Sequence, residues 1–198
     1  KKIYDLGFRH AMLTWNEVNH FGCGAFADSD TGLTDLGCQA VKLMNELGMV
    51  VDVSHASIKT MTDILDVTTA SHSNCYALRG HRRNLTDGQI RGIAETGGVI
   101  GVTAVPDFVH SDEYTIKAMV DHIDYIKKLV GSKYIALGFD FMNYLSEDGV
   151  NANLSDCGSA KEAQLIIDEL MSRGYSSMEI DDITHINAKK VINRILKQ

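Results

Sequence analysis

At 198 residues, 44% of them hydrophobic and 23% charged, the chain has the composition of one globular domain, 1–198, large enough to bury a core. A net charge of −7 argues against a nucleic-acid partner, which needs a clustered basic face, and the one basic knot is His81-Arg82-Arg83. No apolar run approaches a membrane span, Lys1-Lys2-Ile3-Tyr4-Asp5 has no signal-peptide pattern, and Cys23, Cys38, Cys75 and Cys157 stand apart like reduced thiols, so a soluble cytoplasmic protein without membrane contact is expected.

In chain order, a first strand is predicted over 11–14. Leu36, Ala40, Leu43, Met44 and Leu47 form one face of a helix that Gly48 stops, and 49–53 reads as a strand with His55 just past its end. Ser57 is a candidate N-cap for a helix bearing Ile58, Met61 and Leu65, before Ala70-Ser71-His72 arrives. Thr86 and Gln89 make a capping box ahead of Ile90, Ile93 and Ala94, Gly97-Gly98 end that helix, and 99–105 follows as a strand. Ile116, Met119, Val120, Ile123, Ile126 and Val130 mark the clearest amphipathic helix, closed by Gly131 and followed by a strand over 134–139 with Asp140 at its exit. The stretch 143–149 reads as a loop, and helices over 160–172 and 177–196 finish the chain.

Alternating helices and both-sides-buried strands predict a parallel sheet covered by helices, an α/β architecture whose sites lie at strand C-termini. About five strand positions are too few for a closed eight-stranded barrel, so the sheet is open or its amino-terminal strands lie outside this chain. His55, His72 and Asp140, at the ends of separate parallel strands, would meet at one mouth, and imidazole with carboxylate is the usual donor set for zinc. Taken singly, each has a plainer reading: a histidine after a strand is more often packed or solvated, and a strand-end aspartate often caps a helix.

The local words narrow these alternatives. Met49-Val50-Val51-Asp52-Val53-Ser54-His55-Ala56-Ser57, Ala70-Ser71-His72-Ser73, His81-Arg82-Arg83-Asn84-Leu85-Thr86-Asp87 and Gly138-Phe139-Asp140-Phe141 occur in the order seen in membrane (renal) dipeptidases of the amidohydrolase superfamily. Gly32-Leu33-Thr34-Asp35-Leu36-Gly37 and Asp121-His122-Ile123-Asp124-Tyr125-Ile126 extend the resemblance over almost the whole chain. It implies the later strands of a (β/α)8 TIM-type barrel, a zinc-dependent dipeptidase and a possible homodimer. It also implies that His55 and His72 bind the second metal of a binuclear zinc pair. In that family two cations acidify a bridging water that attacks the scissile amide, the position of Asp140 handles the proton, and that of Arg83 receives the substrate's terminal carboxylate. Dipeptides would be the substrates, those with a D-residue at the carboxyl end included. For Arg83 a surface charge is the plain alternative.

Several positions depart from the family. Neither its H-x-D motif nor its bridging glutamate stands where the match needs it, His10 and Glu17 falling on the wrong strand, so the first metal's ligands would come from outside this chain. Only 17 positions separate His55 from His72, a short interval in which 66–71 must end a helix and cross a sheet, so a damaged strand or missing residues are expected there. Trp15 stands where many members carry a substrate-contacting histidine; indole donates one hydrogen bond but cannot become cationic, and losing an oxyanion donor lowers rates by roughly 10²–10³-fold. Thr103-Ala104-Val105-Pro106 lacks the family's usual asparagine and aromatics, and Met142 replaces a frequent aspartate. An amidohydrolase acting on another small amide or lactone, and a catalytically silent homologue that binds a ligand, are therefore the alternatives. His20, His110 and His185 are expected in solvent, His122 at the surface or beside the site, and Cys75 in the core. Asp52 could orient a neighbour.

Overall fold

In the computed structural model, which describes residues 1–64, 68–142 and 153–196, a short helix α1 (Lys2–Asp5) precedes strand β1 (His10–Met12). Helix α2 (Asp35–Glu46), capped by Thr34, leads into β2 (Val50–Asp52), and α3 (Ile58–Asp63), capped by Ser57, leads toward β3 (Thr68–Thr69). Then come α4 (Asp87–Glu95), β4 (Ile100–Val102), a single turn α5 (Pro106–Val109), α6 (Ile116–Val130) and β5 (Ile135–Leu137). The predicted Thr86–Gln89 capping box is present with both reciprocal bonds. Leu65 and the 143–149 stretch lie outside the described residues.

All described strand pairings are parallel. β1 pairs with β2 and β2 with β3, β4 pairs with β5, and a parallel bridge between Ala70 and Ile100 joins the two groups. The result is a five-strand arc in sequence order, the arrangement that repeated right-handed crossovers produce. Among the described residues its outer strands, β1 and β5, each have one strand neighbour. The strands are shorter than their apolar runs, and at the exits side-chain bonds join the backbone ones. Thr103 N–H, just past β4, donates to Asn74 Oδ1 at 3.1 Å, and the Asn74 amide donates back to Thr103 O at 3.1 Å.

From β2 to β4 both faces of the arc are buried, as parallel strands require, while β1 at its edge stays partly exposed. Val51, Ile100, Val102 and Ile135 face the helices, where Ile90, Ile93, Met119, Ile123, Ile126, Ile166 and Leu170 are fully buried. On the other face Val50, Val99 and Ala136 meet Val191 and Ile195 of the last helix. That carboxyl-terminal segment was expected as one helix over 177–196. It is instead α8 (Ser177–Asp181), a wider π-type turn at Asp182–Ile186, and α9 (Asn187–Leu196), following α7 (Gln164–Ser172). At the end of the wide turn, buried Asn187 donates to Ser132 O and Ile135 O, both at 2.9 Å, tying the helix to the start of β5.

Of the two placements expected for His122, the surface is excluded: it is buried on α6, where Nδ1 accepts at 3.1 Å from the N–H of Cys75, three residues after His72, and Nε2–H donates to Val109 O at 2.8 Å. His110 is half-buried, its Nδ1 accepting from the backbone of Asp112 and Glu113, while His20 and His185 are exposed. Burial holds the His122 pKa below its ordinary 6.5. Between the two values the unfolded chain binds more protons than the folded one, so stability falls as pH falls below about 6.5. Thermal unfolding followed downward from neutral pH is expected to show this loss, with a shallower slope in His122→Gln.

Candidate metal and anion site

His55 sits three residues beyond β2, in a left-handed backbone conformation with φ 69°. Among the described residues, the other non-glycine with positive φ is Asp140, at 57°. Such a conformation disfavours a side-chain-bearing residue by about 1–2 kcal/mol and persists where the surroundings over-determine it. For His55 the surroundings are the loop after β1. Its carbonyl accepts from Ala25 N–H at 2.8 Å, its Nδ1 pairs with Asn16 Oδ1 at 2.8 Å, and Trp15 stacks on its ring at 5.7 Å. That loop folds back tightly, since a Cβ at Gly24 would collide with the backbone of Trp15 and Asn16. Trp15 itself is 61% exposed, so it forms rim rather than floor.

His72 is held from the neighbouring strand. The two-residue β3 lies within the sheet, where Thr69 pairs with Asp52 and the following Ala70 bridges to Ile100. Buried Asp52 accepts from Ser71 N–H at 3.0 Å and from Ser71 Oγ–H at 2.6 Å, while Ser71 Oγ lies 2.7 Å from His72 Nδ1. His72 N–H donates to Ser54 Oγ at 3.0 Å. A Cβ at Gly101 or at Gly138 would strike the Ser71 carbonyl, so two glycines on β4 and just beyond β5 make room for this backbone.

These two supports bring His55 Nε2 within 2.9 Å of His72 Nε2, the rings crossing at 64°. Burial, then the Arg83 charge and His72, push the His55 pKa down to about 3. His72 is lowered too, first by burial and further by Arg83, with Asp140 and Asp52 opposing. Both imidazoles are therefore neutral at pH 7, the state that ligates metals. With each Nδ1 engaged by an oxygen, the two Nε2 atoms converge as free donors. This fits a shared cation, although among the described residues no group of three or more His, Cys, Asp or Glu side chains could hold one.

Arg83 is not a surface charge; it is 5% exposed. Its Nε and Nη2 are buried without a hydrogen-bond partner among the described residues, and its guanidinium lies 5.0 Å from the Phe108 ring centre. The 79–84 turn that presents it is pinned by Asn84, whose amide donates to Arg79 O and Phe108 O. Burial lowers its pKa to about 10 against the pull of Asp140 and Asp52, so it stays charged at neutral pH. A buried cation with unused donors is a built receptor for an anion. Asp140 is exposed at the exit of β5, and the preceding Phe139 carbonyl accepts from Ala104 N–H at 2.9 Å and Thr103 Oγ at 3.1 Å. The structure thus couples His55, His72, Arg83 and Asp140 electrostatically and sets Trp15 beside them. Asn16 and Ser71 escape sequence reasoning: nothing in spacing marks Asn16, and the only hint for Ser71 is its place beside His72.

Comparison with known proteins bears on the family and the fold. The model of the family described as membrane dipeptidase (peptidase family M19) matches residues 1–197. A Klebsiella pneumoniae protein of the pqqA 5′ region is 32% identical over 211 residues, covering 99% of this chain and 75% of its own length. An uncharacterized dipeptidase of Schizosaccharomyces pombe is 37% identical over 200 residues, covering 96% of this chain, which spans just 47% of that protein. A solved metallopeptidase of Rhodobacter sphaeroides, liganded with a phosphinate mimic of the dipeptide L-Ala-D-Ala, superposes with a TM-score of 0.88 at 24% identity, covering 98% of this chain and 57% of its own. At that identity the likeness speaks for the α/β fold alone.

Replacing a buried, unpaired charge by an apolar side chain of similar length is neutral or stabilising. Arg83→Met is therefore expected to keep thermal stability or raise it by about 1 kcal/mol, measured by denaturant unfolding, while abolishing protection of the protein by small carboxylates.

Proposed function

Since this chain belongs to the membrane dipeptidase family, peptidase family M19, we propose that it forms the catalytic rim of a zinc-dependent dipeptidase, its five strands being the later part of a (β/α)8 barrel. The observation that carries this reading is the convergence of two neutral imidazole nitrogens 2.9 Å apart in electrostatic reach of a buried Arg83 that is unpaired among the described residues. His55 and His72 would hold one cation of a binuclear pair, and the remaining ligands come from outside the described residues. Neutral imidazoles suit zinc, which supplies Lewis acidity toward a scissile carbonyl and lowers the pKa of water.

The chain's own residues supply the rest. Arg83 receives the carboxylate of the dipeptide's second residue through the two donors it leaves unused, which sets the register of the amide bond. Asp140, exposed on its left-handed turn, takes a proton on a carboxylate oxygen and returns it to the departing amine. Trp15, stacked on His55, walls the mouth and offers one indole N–H where a cationic donor would be stronger. A buried guanidinium selects substrates with a free carboxylate, which favours dipeptides over neutral amides and lactones. The mimic bound to the Rhodobacter sphaeroides relative is of this class.

The test is hydrolysis of a dipeptide panel by the intact protein loaded with zinc. Asp140→Asn is expected to lower kcat by about 10²–10⁴-fold with zinc still bound, and Arg83→Met to raise KM for dipeptides but not for their carboxamides. Tight dipeptide binding without turnover in the unaltered protein would identify a silent homologue instead, and preferential turnover of lactones a different amidohydrolase.

A further inference from the structure

We propose that Asp52 and Ser71 act as positioning residues that decide which nitrogen of His72 carries its proton, and thereby set the affinity of the metal position. The inference rests on the metal reading above and is tested separately from it. Asp52, whose side chain is fully buried, has each oxygen committed. Oδ1 accepts from the backbone N–H groups of Ser54 and Ser71, both at 3.0 Å, and Oδ2 accepts from Ser71 Oγ at 2.6 Å, with His10 Nε2 3.5 Å away. The 2.6 Å between Ser71 Oγ and Asp52 Oδ2 is the distance of a charge-assisted O–H···O⁻ bond.

A serine hydroxyl has one proton. Once it is given to Asp52, the Ser71 oxygen can only accept in its 2.7 Å contact with His72 Nδ1. The ring proton of His72 is thereby held on Nδ1, and Nε2, the atom facing His55, keeps its lone pair. On the other ring, Asn16 Oδ1 accepts from His55 Nδ1–H, with the same outcome. Two lone pairs aimed at each other across 2.9 Å repel unless a cation lies between them. A hydrogen bond between the rings would require one proton to move to Nε2, at the expense of the Ser71 or the Asn16 contact. The relay therefore biases the pair toward metal before any metal arrives. Ser54 steadies it through the His72 backbone, and Gly101 and Gly138 admit the Ser71 carbonyl.

Asp52→Asn inverts the proton order without changing shape. The two backbone donors orient the amide so that its oxygen replaces Oδ1, leaving NH₂ to donate to Ser71 Oγ. Ser71 then gives its proton to His72 Nδ1 at 2.7 Å rather than to the more distant Ser54 Oγ at 3.4 Å, and the ring proton moves to Nε2, where it blocks the metal. The measurement is the ring ¹⁵N shifts of His72 in the metal-free intact protein, together with zinc affinity from chelator competition. Expected are an Nδ1–H tautomer in the unaltered protein, an Nε2–H tautomer in Asp52→Asn, and zinc binding weakened by about 10–100-fold. An unchanged tautomer with unchanged affinity in Asp52→Asn overturns the proposal. If that variant does not fold, Ser71→Ala, which removes the acceptor for Nδ1–H, is read in the same way. Absence of zinc binding by the unaltered protein would sink the metal reading, while the tautomer measurement would still decide the relay.

Discussion

Parallel pairing is the constraint on which the rest of this molecule depends. Because each of the five strands runs the same way, every exit opens on one rim, and residues 55, 72 and 140 become neighbours despite their separation in the chain. Pairing brings them only to the same edge. The final placement comes from side chains that bridge successive exits: Asp52 to Ser71 between β2 and β3, Asn74 to Thr103 between β3 and β4, and Thr103 to the Phe139 carbonyl between β4 and β5. These side-chain bonds lie alongside backbone bonds that continue past the short strands, such as Val53 N–H to Thr69 O and Ala104 N–H to Phe139 O.

The rim is built against its own stability. It holds two residues in left-handed backbone, two neutral histidines with facing nitrogens and a buried guanidinium with unused donors, none of which an apolar core would select. The core beneath is conventional, with fully buried aliphatic residues packed on one face of the sheet and α9 closing the other. Stability resides in the lower layers, and the strain is confined to the mouth, where ligands can relieve it.

Much of the scaffold was legible from residue order. Ser57 and Thr86 begin helices because hydroxyl acceptors meet free N–H groups there, Gly48 and Gly97 take the positive φ that ends them, and the apolar period of α6 matches its buried face. The resemblance to membrane dipeptidases pointed at His55, His72, Arg83 and Asp140. It did not reveal that Arg83 is buried and, among the described residues, unpaired, since Arg82 beside it has the same chemistry in the sequence. For His122 residue order leaves the surface and the surroundings of the site both open, because an amphipathic helix tolerates a histidine on either face, and only the packing of Cys75 and Val109 against it makes it interior.

Sequence alone determined the local and periodic features: where helices start and stop, which strands are apolar on both faces, and which residue types stand at strand ends. These follow from interactions within a few residues. Tertiary structure decided everything that requires two distant segments to meet: the 2.9 Å approach of His55 to His72, the grip of Asn16 on His55, the route from Asp52 through Ser71, and the burial of Arg83 against Phe108. The physical reason is range. A hydrogen bond or a desolvated charge acts over a few ångströms of space, and no spacing along the chain records which residues folding will bring that close.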